Sequence, residues 1–142
     1  PDPTLPPPPT NVEDIVIRIE RHPVVRERLR ERLVAQPEHT VREEKRLLNV
    51  WQFYLRVLAS ADIEQACDLV TIAEIVTRWP AYQHLLRGNW NTLADAASDD
   101  LRWGTAIAKI GFKYTDGRAA ENLRALLGDR AQAVAGLANR LF

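Results

Sequence analysis

The chain contains no methionine, a single cysteine (Cys67), and only three histidines, His22, His39 and His84. One cysteine rules out an internal disulfide, and its mid-helix setting on an apolar segment reads as core filling in a reducing, cytoplasmic compartment. No histidine stands at metal-ligand spacing from another histidine or from Cys67, so no zinc site is legible. No glycine-rich phosphate loop, dinucleotide fingerprint or nucleophile elbow occurs. No apolar run approaches the ~18 residues of a membrane span, and no secretory signal pattern is present. Net charge is also missing: 19 Lys and Arg balance 19 Asp and Glu. No global field therefore points to nucleic acid or to a membrane surface. Two acidic pairs are poor catalytic candidates. Glu43 and Glu44 are neighbours on a helix and cannot face one another, and Asp99–Asp100 suits a helix cap better than a metal.

What is present is helical pattern. The segment from His39 to Pro80, HTVREEKRLLNVWQFYLRVLASADIEQACDLVTIAEIVTRWP, organises the rest. Thr40 with Glu43 forms a candidate capping box that opens the first of two long helices. Leu47, Trp51, Tyr54, Leu55 and Leu58 make one apolar stripe, and Val50, Phe53 and Val57 a second beside it. The expectation is a helix packed from more than one side. Asp62 and Gln65 open the second helix. Ala66, Leu69, Val70, Ala73 and Val76 line one of its faces, with Ile72, Ile75 and Trp79 on another. Pro80 ends it. The β-branched run within Val70–Val76 is compatible with a strand, but length and the lack of alternation favour helix.

The remaining segments are shorter. Residues 1–10, PDPTLPPPPT, read as an extended proline-rich linker; a ligand for a proline-recognising domain is the alternative. Asn11 caps a helix with Val12, Ile15, Val16 and Ile19 inward. Pro23 opens a second, whose narrow stripe of Val25, Leu29 and Leu33 (with Val34) leaves a face rich in Arg26, Arg28, Arg30 and Arg32. Glu27–Arg30 and Arg28–Glu31 suit a solvated, salt-bridged face; a partner or phosphate surface is the sharper reading. Gly88 stops a short helix after Pro80, and Asn91 caps the next. Asp99 or Asp100 caps LRWGTAIAKIGF, with Leu101, Trp103, Ile107 and Ile110 inward and Gly104, Ala106 and Ala108 allowing close approach. Asp116–Gly117 signals a turn. Two last helices bury Ala120, Leu123, Leu126 and Leu127, then Ala131, Val134, Leu137 and Leu141.

The order of these parts resembles the region that follows the ATPase core in KAP-type P-loop NTPases, within the STAND and AAA-plus group. The matching features are LPPPPT at Leu5–Thr10, a short helix, an Arg-rich helix, REEKRLLNVWQFYLRVL, and Arg78–Trp79–Pro80 closing an apolar helix. That family opens the aromatic helix with an asparagine–proline–arginine pattern followed by basic residues. Arg42, Lys45, Arg46, Leu47 and Asn49 occupy comparable places, while Thr40 and Val41 stand where asparagine and proline are usual. The resemblance covers roughly residues 5–87. It implies a helical lid, with Arg42, and Arg46 one turn later, as the candidates for touching a nucleotide phosphate held on a neighbouring core.

The fold expected is all-α, a bundle of about seven to nine helices around a central antiparallel pair. It comprises a linker (1–10) and one helical domain (11–142), lid-like over 11–87 and extended over 88–142. The chain, starting with proline and lacking methionine, reads as part of a longer protein, and its many arginines and alanines suggest a GC-rich bacterial genome. The function expected is a non-catalytic lid or regulatory region of a bacterial P-loop NTPase. It would need no cofactor of its own, with ATP and magnesium on the parent's core, and its partner would be that core or another protein. The alternative is an independent protein–protein interaction module using Arg26, Arg28, Arg30 and Arg32. Nucleic-acid binding is disfavoured, because charge is balanced and no aromatic interleaves with the arginines.

Overall fold

The computed structural model describes residues 11–36, 40–111 and 117–142. The proline-rich segment, His39 and the Asp116 side of the expected turn lie outside them. The described residues form nine α-helical segments and no strand. These are α1 (Val12–Arg21), α2 (Pro23–Ala35), α3 (Val41–Val57), α4 (Ile63–Arg78), α5 (Gln83–Leu86), α6 (Trp90–Ala96), α7 (Asp100–Ile110), α8 (Gly117–Leu127) and α9 (Ala131–Leu141). Turns of 3-10 helix precede α5 (Pro80–Tyr82) and α9 (Gly128–Arg130).

Local chemistry accounts for the boundaries. Asn11, Thr40 and Asp99 each accept a backbone N–H from three residues on, at 2.8, 3.2 and 2.9 Å. At Asp62 the capping box is complete, because Gln65 also accepts from the Asp62 N–H. At Thr40 only the hydroxyl half is formed. His22 ends α1 and caps α2, accepting the Val24 N–H on Nδ1 at 3.2 Å, and Pro23 occupies the first turn. Gly88 (φ 79°) and Gly111 (φ 94°) take left-handed conformations that a side chain would strain. Asn91 lies inside α6; Asn89 takes the capping position, with its side-chain amide donating to the Leu85 carbonyl at 2.6 Å.

Helix α4 is the mast of the bundle. Every residue from Ala66 to Thr77 is buried except half-buried Cys67 and Val76. A helix apolar around so much of its circumference needs neighbours on several sides. Here α2, α3 and α9 all pack on it, with α8 adding a smaller contact. Trp51 of α3 is fully buried and donates its indole N–H to the Ala66 carbonyl at 3.0 Å, fastening α3 to α4. The buried side chains form one continuous cluster from Val16 to Ala138, so the segments before and after residue 88 share a core. Arg124 ties α8 to the start of α7 through the Ala97 carbonyl (2.7 Å) and Asp100 (2.6 Å).

Four expectations fail on the outside of the bundle. Phe53 (59% exposed) and Val57 (52%) face outward, although α3 packs on both α4 and α1 and Val50 of the same stripe is half-buried against the core. Val12 and Val34 are exposed. Leu101, at 84%, is the most exposed large apolar side chain among the described residues. A Cβ on Gly104 would meet open space and Ala108 is exposed, so of the small residues of α7 only Ala106 is buried against a neighbour. Apolar character alone does not ensure burial, because folded surfaces carry much apolar area.

Candidate docking surface

The expected phosphate contacts both lie on the open side of α3. Arg42 is in the first turn and Arg46 one turn later, and both are exposed. At 100° per residue, Arg42, Arg46, Asn49 and Phe53 fall close to one line, with Val57 just beside it. All five are exposed. The stripe runs about 22 Å at 1.5 Å per residue. It is basic at its amino end, where Lys45 flanks it, and apolar at its carboxyl end. Among the described residues no carboxylate comes within ion-pair distance of Arg42 or Arg46. Arg42 also sits against the helix dipole, which favours acids in a first turn and disfavours cations. Glu43 and Glu44 in the same turn offset this. An anion approaching here would meet a guanidinium and the positive end of the helix together.

The apolar end of the stripe is held by α1. Arg56 donates to both carboxylate oxygens of Glu13 (2.6 and 3.2 Å), and Gln52 donates to Glu20 at 3.1 Å. The hydrogen bond from Arg56 keeps the Glu13 carboxyl below its ordinary range. Phe53 and Val57 therefore project beside a pinned α1–α3 contact.

The arginine face of α2 divides in two. Arg26 and Arg30 point outward; Arg30 pairs with Glu27 at 2.5 and 3.1 Å, as the spacing predicts. They line an open groove of about 810 Å³ with Glu20, Glu27, Leu33 and Glu44. Arg28 and Arg32 turn inward onto α4. Arg28 donates to the Thr71 hydroxyl at 2.8 Å, with Glu31 only at 3.9 Å. Arg32 donates to both oxygens of Glu74, at 2.6 and 2.9 Å, and Arg78 lies 3.7 Å from the same carboxylate. Glu74 has no exposed surface at all. A buried carboxylate requires such a partner, because transfer of an unpaired charge from water costs several kcal/mol. Arg28 and Arg32 are thus committed to the interior, and a partner surface on α2 reduces to Arg26 and Arg30.

A third polar contact extends the same line. Asp68, buried, receives Arg130 from the turn before α9, at 3.1 and 2.7 Å. Asp68, Thr71 and Glu74 are three apart on one face of α4 and meet Arg130, Arg28 and Arg32 in turn. Reading α4 for its apolar faces missed this ladder. Only half of the signal lies in the sequence: three polar residues at helical spacing in a largely apolar segment, with nothing to say that the arginines of α2 lie opposite them. Cys67 lies beside it, half-buried, and burial pushes its thiol above the ordinary range despite nearby Arg28 and Arg130.

Among the described residues no group of three or more His, Cys, Asp and Glu is placed to hold a metal ion, and no helix is long and apolar enough to cross a membrane. Compared with protein-family models, curated proteins and solved structures, the chain matches none of them significantly.

Proposed function

We propose that this chain is the helical lid or regulatory region of a bacterial, cytoplasmic P-loop NTPase, docked on the nucleotide-holding core through the outer face of α3. The observation that carries this reading is the outward Arg42–Arg46 end, without a carboxylate partner among the described residues, of a stripe that continues into exposed Phe53 and Val57. The apolar end supplies area to bury against a partner, and the basic end supplies charge-assisted contact to phosphate. ATP and magnesium would sit on the core. The lid would hydrolyse nothing alone; it would bind differently to the nucleotide-loaded and empty core, and so report the nucleotide state to a further partner.

In the complete gene product, Arg42→Ala or Arg46→Ala should weaken nucleotide binding or turnover with helix content unchanged. Loss of one charge-assisted contact costs about 1.5–3 kcal/mol, or roughly tenfold to a hundredfold. The isolated chain should bind ATP negligibly, since an exposed arginine without a phosphate loop offers a point charge in water. Wild-type nucleotide affinity and turnover in both variants would overturn the lid.

The same stripe supports a second reading, an independent interaction module. Phe53 and Val57 form an exposed apolar pair that needs no nucleotide to be useful. Under that reading Phe53→Asp abolishes partner binding while Arg42→Ala leaves nucleotide chemistry untouched.

A further inference from the structure

At the carboxyl end of α4, the chain forms a partly open cavity of about 340 Å³. That volume lies within the range of small-molecule sites. Its walls come from four elements: the end of α4, α5, the start of α6 and the end of α9. Trp79, Trp90 and Phe142 supply aromatic surface, and Ile75 and Leu86 supply buried apolar surface. The rings are held in place. Trp90 and Phe142 are nearly parallel (8°) with centroids 6.3 Å apart, and Tyr54 meets Phe142 edge-on at 5.9 Å. Trp79 carries the Arg78 guanidinium 4.7 Å from its ring centroid. Arg78 is in turn near Glu74, so this wall is anchored in the buried ion-pair ladder.

The polar groups are at the lip. Gln83, His84 and Arg87 all lie in or just after the single turn of α5 and are exposed. No carboxylate pairs with Arg87 among the described residues. A partly open aromatic pocket, whose mouth carries a guanidinium with no carboxylate partner among the described residues, selects for ring and charge together.

We propose that this cavity binds a small planar aromatic carboxylate. The ring lies among Trp79, Trp90 and Phe142, and the carboxylate is paired with Arg87, with Gln83 or His84 as a second hydrogen-bond partner. The ring gains from stacking and burial inside; the carboxylate stays at the lip, where its desolvation is least. The α3 stripe and any nucleotide contact are separate from this site, so the proposal stands or falls on its own.

The test titrates the chain with 1-naphthoate and watches the four tryptophan indole N–H signals by NMR, assigned by single Trp→Phe changes. Saturable binding should move Trp79 and Trp90 and leave Trp51 and Trp103 in place. 1-Naphthamide, which keeps the ring and lacks the charge, should bind about tenfold or more weakly, and Arg87→Ala should weaken 1-naphthoate by a similar factor. Arg87 is exposed, so that variant should keep the wild-type helix content. Three results would each overturn the proposal: no saturable shift, shifts centred on Trp51 or Trp103, or acid and amide binding equally well to wild type and to Arg87→Ala.

Discussion

Glu74 has no exposed surface, and Arg32 supplies both of its close hydrogen bonds. Removing the arginine would strand a carboxylate inside the bundle, with Arg78 at 3.7 Å as partial relief. Arg32→Ala is expected to cost on the order of 3 kcal/mol in urea unfolding. Arg30→Ala, on the same helix, should leave the unfolding midpoint unchanged, because its pair with Glu27 is exposed. Replacing Arg32 and Glu74 together by leucines should recover much of the loss, since a matched apolar pair carries no buried charge. If Arg32→Ala and Arg30→Ala behave alike, the inward ladder does not hold the bundle as described. Glu13 provides a residue-scale test in pH. Its carboxyl titrates below the ordinary range because Arg56 hydrogen-bonds the ionised form. A depressed pKa in the fold contributes stability above the unfolded pKa and loses it as pH falls through the lowered value. An NMR titration of the Glu13 carboxyl should therefore show a low midpoint that rises to the ordinary range in Arg56→Ala; an unmoved midpoint would remove Arg56 as the cause.

At the scale of the element, α3 joins the core to the open face. Its inner stripe was legible: Leu47, Trp51, Tyr54 and Leu55 recur at helical spacing, and all four are buried. Trp51→Ala should cost about 3–5 kcal/mol, as truncation of a fully buried tryptophan does. A measured loss below about 1 kcal/mol would contradict its place at the α3–α4 contact. The caps were also legible, since Asn11, Thr40, Asp62 and Asp99 have short side chains that bond the backbone locally. The direction of the second stripe was not. Val50, Phe53 and Val57 have the same spacing whether they meet a neighbour or solvent, and periodicity does not say which helix lies opposite. The ladder on α4 was hidden for the converse reason. Arg28 and Arg32 pattern as surface residues, and only the approach of α2 to α4 turns them inward.

At the scale of the whole molecule, helix content and a single shared core follow from the pattern, because each helix carries an apolar face that must be covered. The sites are another matter. The cavity beside Trp79, Trp90 and Phe142 gathers residues from α4 to α9 that no local motif connects. The outer face of α3 is the surface on which the functional account rests, and the accessibility of Phe53 tests it most directly. A Phe53→Cys variant, with Cys67→Ser to remove the background thiol, should react quickly with a maleimide in the isolated chain, where this position is 59% exposed. In the complete gene product the reaction should be markedly slowed, and the slowing should change when ATP is added. Equal reaction rates in the chain and in the complete product, with and without ATP, would mean that nothing docks on α3 and would contradict the lid.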